Sequence, residues 1–285
     1  MIDNNLAVFS EGEECSNAWG SFWVFTYQAG VLIPKLHSFQ DFYFHLQAIN
    51  GIGLVREKAL HKKGIRSLLE LENTPFNEDG NLVRVGLEAK DWPFIYNRFP
   101  RFMVLAALPR ERIAVLDIET SGFGFAMPIF LVGIMTLTPL PQIKLFLARH
   151  PAEEAAMLYA VSLELEKKEA VITYNGASFD LPVLKRRAAR WELPFQKPLN
   201  LDLLPVVRKI LGKEVPDCRL KTIEKIVLDY ERHLDPASSE IPLIYQKFLL
   251  KQEPKLLEEV INHNARDLES LILIWNYLDE RENNY

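Results

Sequence analysis

The sequence predicts an α/β protein whose mixed sheet begins after residue 112, preceded by a smaller N-terminal domain that contains a helical hairpin. Three observations carry that reading. Ile113 to Ile118 (IAVLDI) is a short β-branched run of the buried-strand type. Ile129 to Thr138 and Ile143 to Ala148 continue as two more strands across a turn at Pro139–Pro141. Beyond them strands alternate with helical stretches, the pattern of a sheet with mixed strand directions.

The elements follow in order. Residues 1–48 are acidic and aromatic, with Lys35 their one lysine. Within them Trp19, Phe22, Trp23, Phe25 and Tyr27 alternate partly like a strand, and the core of the small domain is the reading favoured over base stacking. Phe39 to Ile49, Leu54 to Lys63 and Arg66 to Glu72 read as helical, and Asn73 to Gly80 as a loop. Pro100 and Pro109 bracket an apolar segment, and a boundary near 105 divides the chain into domains 1–105 and 106–285. Pro151 to Lys168 is a helix with Pro at its start and acids in its first turn. Ala170 to Tyr174 is a fourth strand, Leu181 to Glu192 a basic helix and Leu199 to Leu203 a fifth strand. Nearly everything after Leu204 has helical periodicity, including the long stretch from Pro254 to Glu280. No repeat at a period of 20–50 residues is visible.

Composition narrows the classes of function. The chain has 285 residues, 48% hydrophobic and 25% charged, enough for one large domain or a domain plus a smaller partner. A formal charge of −5 excludes a uniformly basic coat, though not a local basic patch. Cys15 and Cys218 lack any zinc or disulfide spacing, which suits a reducing compartment. The segment MIDNNLAVFS does not read as a signal peptide. The apolar stretches Trp19 to Ile33 and Met127 to Leu140 are interrupted and shorter than the ~18 residues of a membrane span. A soluble, cytoplasmic protein without membrane contact is expected.

Three local features carry chemistry. Asp117 and Glu119, in Asp117-Ile118-Glu119-Thr120, sit at i and i+2 of a strand and share a face. Asp180, in NGASFDLP, follows the fourth strand, where Asn175 and Gly176 turn the chain and Ser178 can cap the next helix. His263 and Asp267, in HNARD, are four apart on a helix and share a face. Each has an ordinary explanation alone: acids reaching solvent, a helix-start acid favoured by the dipole, or an exposed ion pair. Together they suit phosphodiester chemistry. Two Mg²⁺ or Mn²⁺ ions ~4 Å apart stabilise attacking and leaving oxygens, and such hard cations require carboxylate oxygens. A neutral His263 can take the proton from the attacking water.

A fourth feature is basic. Ile49-Asn50-Gly51-Ile52-Gly53 joins two helical stretches, followed by Arg56, Lys58, Lys62, Lys63 and Arg66 against Glu57 alone. Glycines at 51 and 53 permit close backbone approach, and the next helix N-terminus attracts an anion. The segment, about residues 39–73, resembles a helix-hairpin-helix element. Gly51, Gly53, Arg56, Lys58, Lys62, Lys63 and, beside the acids, Asn175 are the candidate nucleic-acid contacts. A tight αα-turn with a solvated basic face is the plainer alternative. Lys185, Arg186, Arg187 and Arg190 form a second basic run, beside the substrate path or simply solvated.

DIET, NGASFDLP and HNARD, in that order, resemble the three motifs of the DEDD (DnaQ-like) 3′–5′ exonucleases of the ribonuclease H-like fold. The likeness is greatest to the YprB-like branch, which Asp202-Leu203-Leu204, Arg219-Leu220-Lys221-Thr222-Ile223-Glu224 and Ile241-Pro242 also resemble. It covers roughly residues 112–278. The resemblance implies a ribonuclease H-like mixed five-stranded sheet flanked by helices, with Asp117, Glu119, Asp180 and Asp267 as metal-binding acids. It implies two divalent cations and a single-stranded DNA or RNA 3′ end as substrate; protein partners are unknown. One position departs from the pattern. The groups carry His five residues before the last Asp or Tyr four before it, and here His263 stands at four. Asp202 is read as structural. A non-catalytic nucleic-acid-binding or complex-organising protein is the rival reading, and structure-selective endonuclease action would use the same chemistry.

Overall fold

The computed structural model describes residues 12–33, 39–124, 126–232 and 235–282. They fall into two compact units. One comprises residues 35–108; the other combines residues 1–34 with 109–285.

The unit of residues 35–108 is helical. Two 3₁₀ turns, Phe39–Phe44 and Leu46–Ala48, precede α1 (Leu54–Lys62), and a third, Leu68–Glu70, precedes α2 (Asn77–Glu88), α3 (Trp92–Arg98) and α4 (Arg101–Ala107). Local chemistry sets several of these starts. Ser67 and Glu70 form a reciprocal capping box. Asp91 caps α3 by accepting from the Phe94 N–H at 3.1 Å, with Pro93 at the helix start. Phe42, Leu46, Val83, Leu87 and Ile95 are fully buried at the centre. Two expected helices are reduced here. Phe39 to Ile49 is broken at His45 (φ −90°, ψ 82°), and Arg66 to Glu72 is a single turn. The expected loop Asn73 to Gly80 instead holds the start of α2, whose first turn carries Glu78 and Asp79.

The other unit is built on a seven-stranded sheet. Its strands are β1 (Glu13–Asn17), β2 (Gly20–Gln28), β3 (Ile113–Thr120), β4 (Ile129–Thr136), β5 (Gln142–Leu147), β6 (Ala170–Thr173) and β7 (Leu199–Asp202). They lie in the order β1-β2-β5-β4-β3-β6-β7. β6 and β7 run parallel to β3; the remaining pairs are antiparallel. The helices are α5 (Glu154–Glu166), α6 (Asp180–Arg190), α7 (Leu203–Leu211), α8 (Leu220–Val227), α9 (Ile241–Lys251) and α10 (Lys255–Glu282). Among the described residues no helix is long and apolar enough to cross a membrane.

Two expectations are corrected. The sheet has seven strands, not five, and residues 1–105 do not form one domain. β2 pairs with β5 from Trp23↔Leu147 to Gln28↔Gln142, so the N-terminal aromatic strand extends the large sheet. The partly alternating aromatics of β2 suit a half-buried strand, but their partner lies more than a hundred residues away. Phe22 stacks on Phe146 of β5, not in the core of the helical unit.

The sheet's two faces separate packing from chemistry. Ala114, Leu116 and Ile118 join Met157 and Val161 of α5 and Leu184 of α6 in one apolar cluster. Alternation along the strand turns Asp117 and Glu119 the other way, towards α10. Gly133 of β4, directly opposite Asp117, makes the close approach of α10 possible. A Cβ there would lie 2.0 Å from the Asn264 Oδ1 and 2.8 Å from a Leu268 methyl. Gly133→Ala is therefore expected to lower unfolding stability by about 1–3 kcal/mol, the usual cost of overpacking. Urea denaturation checks this; an unchanged midpoint would mean that α10 does not depend on the gap.

Candidate active site

The site begins at the C-terminal end of β3. Asp117 and Glu119 extend from one face of this central strand into a cleft. The parallel neighbour β6 ends at Thr173, and the chain turns through Asn175, whose backbone is left-handed (φ 66°). Asp202, at the end of β7, fixes that turn. Its carboxylate accepts from the backbone N–H groups of Asn175 at 2.8 Å, Ala177 at 3.0 Å and Leu204 at 3.1 Å. Asp202 thus has the structural role expected for it. The turn delivers Asp180 to the first residue of α6, buried beside β3. Ser178 does not cap α6: Phe179 holds the cap position, without a side-chain bond.

α10 completes the cleft. Val260, Ala265, Leu268, Leu271 and Ile272 are buried along it and fix its rotation. His263 and Asp267 then face the cleft together, as their spacing predicts. The His263 Nε2 lies 3.6 Å from the Asp267 Oδ2 and 3.9 Å from the Glu119 Oε1. Asn264, which the sequence analysis did not single out, donates from Nδ2 to the Asp117 Oδ2 at 2.6 Å. The four acids and His263 line one cleft of about 390 Å³, with Phe123, Tyr174 and Asn175 among its other walls.

Burial and like charge dominate its electrostatics. Burial, reinforced by Asp267, Asp180 and Glu119, raises the Asp117 carboxyl well above the usual range. Burial pushes Glu119 up to about 8, with Asp267 and Asp180 adding and His263 opposing. Burial also raises Asp180 to about 7, although the backbone N–H groups of Asp180 and Ile118 partly stabilise its anion. Burial alone would lower His263, but Asp267, Asp235 and Glu119 overcome that and raise it.

A group of charges that the sequence analysis left unassigned surrounds His263. The His263 Nδ1 lies 2.9 Å from the Asp235 Oδ2. Arg232 is paired with the buried Glu224 and reaches the Asp267 Oδ1 at 2.5 Å. Arg232 and Asp235 lie between α8 and α9, without helical or strand periodicity, so spacing offered no signal. Arg187, expected in a basic run, is instead buried in an ion pair with Glu154, while Lys185, Arg186 and Arg190 are exposed.

The hairpin residues lie in the helical unit. Gly51 turns the chain (φ +83°) and Gly53 precedes α1 in extended backbone. Arg56, Lys58, Lys62 and Lys63 are exposed, and Arg56 donates to the Gly51 carbonyl. Asn50 N–H donates to Asp79 at 2.7 Å, and Arg98 binds Asp79, so an ion pair braces the turn.

Among the described residues, no three His, Cys, Asp or Glu side chains stand in an arrangement that could hold a metal ion. Asp267 is turned onto Arg232 and Asp117 onto Asn264. The donor set nevertheless suits a hard divalent cation: carboxylates in one cleft, with Asp117, Glu119 and Asp180 displaced upward in pKa by burial and by one another.

These shifts predict the pH dependence of the metal-free protein. Unfolded carboxylates release their protons near pH ~4, whereas folded Asp180 and Glu119 retain theirs to about 7 and about 8. Across that window the folded state binds more protons, so stability falls as pH rises. His263, raised in the fold, acts in the same sense above its unfolded value; Asp235, lowered, acts only at more acidic pH. In chelator, the melting temperature should fall from about pH 5 to about pH 8, and Asp180→Asn should flatten the slope. A melting temperature that rises over this range would contradict the assignment.

Comparison with known proteins places this geometry in a family. The sequence profile described as the RNase_H superfamily matches residues 114–279, which contain all four acids and His263. The chain is 30% identical over 229 residues to the uncharacterized protein YprB of Bacillus subtilis (strain 168). That alignment covers 78% of this chain and 51% of YprB, so the chain spans about half the length of its curated relative. Among solved structures it is similar to the family B DNA polymerase of the hyperthermophilic archaeon Pyrobaculum calidifontis. That similarity has a TM-score of 0.49 and 15% identity, over 58% of this chain and 24% of the polymerase. The profile match spans β3 to α10, the elements that carry the cleft, and the chain belongs to the RNase H superfamily.

Proposed function

We propose that this protein is a divalent-metal-dependent nuclease, a 3′–5′ exonuclease acting on single-stranded DNA or RNA ends in the cytoplasm. The observation that carries the reading is the convergence of Asp117, Glu119, Asp180, Asp267 and His263 on one cleft. The four acids would hold Mg²⁺ or Mn²⁺, two ions in this reading, which supply Lewis-acid stabilisation of the attacking and leaving oxygens. His263 accepts, at Nε2, the proton of the water that attacks phosphorus. As the new O–P bond forms, the P–O3′ bond breaks and a nucleoside 5′-monophosphate leaves the chain end. His263 acts as base only when neutral.

In this proposal the helical unit holds nucleic acid. Gly51 and Gly53 admit a phosphate near the start of α1, while Lys58, Lys62 and Lys63 supply positive charge. Arg56 has a second duty, since it braces the turn. Asn175, exposed on the cleft wall, is available to substrate.

The rival reading, a non-catalytic nucleic-acid-binding protein, is favoured by one observation: Arg232 occupies Asp267 where a metal ligand is proposed. End-labelled DNA and RNA incubated with Mn²⁺ or Mg²⁺ decide between them. The proposal expects metal-dependent cleavage that is abolished by Asp117→Ala and Asp180→Ala. His263→Ala should lower turnover by ~10²- to 10⁴-fold, the usual contribution of a general base. Cleavage unchanged in Asp117→Ala would remove the proposed site; no cleavage by the wild type would support the rival. Cleavage of circular single strands would identify an endonuclease.

Binding has a separate test. Lys62→Glu with Lys63→Glu should weaken nucleic-acid affinity across sequences and flatten its dependence on salt. An unchanged slope of log affinity against log salt would show that these lysines do not contact phosphate.

A further inference from the structure

His263 is anchored from behind. Its Nδ1 lies 3.0 and 2.9 Å from the two oxygens of Asp235, whose side chain is only 2% exposed. Three cations surround that carboxylate: Lys221 at 2.6 Å, Arg232 at 3.4 Å and Arg266 at 3.6 Å. So placed, Asp235 is ionised and can only accept hydrogen bonds. A lone pair on Nδ1 would face an anion at hydrogen-bond distance, so the proton belongs on that nitrogen. The guanidinium of Arg232 also approaches Nδ1, but at 3.4 Å, farther than either carboxylate oxygen. On the opposite edge of the ring the nearest carboxylate oxygens stand 3.6 and 3.9 Å from Nε2, too far for a hydrogen bond.

We propose that Asp235 is a positioning residue that holds neutral His263 in the Nδ1–H tautomer and aims its Nε2 lone pair into the acid cleft. The inference rests on the reading of His263 as general base, and extends it to a residue on another segment of the chain. Only one tautomer of neutral imidazole leaves Nε2 free to accept a proton, and the hydrogen bond at the other nitrogen selects it. Without Asp235 the ring could adopt the other tautomer, and Nε2 would present a hydrogen where the reaction requires a lone pair. A residue that only balances Lys221, Arg232 and Arg266 would leave the tautomer unaffected.

The test uses the full chain labelled with ¹⁵N-histidine, without metal, at a pH where the ring is neutral. Long-range ¹H–¹⁵N correlations distinguish protonated from unprotonated ring nitrogens, and His263→Gln assigns the signals by their loss. The expected result is a wild-type His263 protonated at Nδ1, and a changed or mixed pattern in Asp235→Asn. Asp235→Asn should also lower kcat at least about tenfold while KM stays within about twofold, as for a group acting only in the transition state. A wild-type His263 protonated at Nε2 overturns the proposal whatever the activity, even if Asp235→Asn does not fold. A folded Asp235→Asn with unchanged kcat overturns it as well. Failure of the nuclease reading would look different: His263→Gln would cleave as well as the wild type, or the wild type would not cleave at all.

Discussion

Four carboxylates share one cleft, and their mutual repulsion is the constraint on which the rest of the site depends. Acids withdrawn from water cannot all ionise side by side unless donors or cations compensate them. Each has a distinct compensation. Asp117 takes a hydrogen bond from Asn264, and Asp180 has backbone N–H groups. Glu119 is eased by His263, and Asp267 by Arg232. The compensation is incomplete, since Asp117, Glu119 and Asp180 stay displaced towards their protonated forms. A cleft left short of positive charge is a reason to propose cation binding.

The fold serves that arrangement through close packing. β3 brings two acids to one face, and the parallel crossover to β6 sets Asp180 beside them. α10 brings Asn264, His263 and Asp267 within reach only because Gly133 leaves room above the sheet. Behind the ring, Glu224 fixes Arg232, and Arg232 joins Lys221 and Arg266 around Asp235. The charge on Arg232 reaches both Asp267 and Asp235, so it couples the front of the cleft to the group behind His263.

Local spacing made much of the site legible in the sequence. Two residues apart on a strand, and four apart on a helix, place Asp117 with Glu119 and His263 with Asp267 whatever the remainder of the fold does. Asp180 followed from its place after a strand. Properties that depend on distant partners were not legible. β2 joins β5 across more than a hundred residues, so its aromatics read as part of the small domain. Arg187 sits in a basic run, but its buried acid, Glu154, comes from another helix. Asp235 and Arg232 occupy a segment with no period at all, and tertiary contact alone reveals them. Gly133 lies within an apolar strand run, and its role appears only once α10 is packed against it.

The central claim, that the acid cleft is a cation site, is tested most directly by diffraction. Crystals grown with Mn²⁺ and a short oligonucleotide, measured at a wavelength where manganese scatters anomalously, would show where the ion resides. The proposal predicts anomalous peaks among Asp117, Glu119, Asp180 and Asp267, with Asp267 released from Arg232. A cleft without manganese, in which Arg232 still holds Asp267, would contradict it.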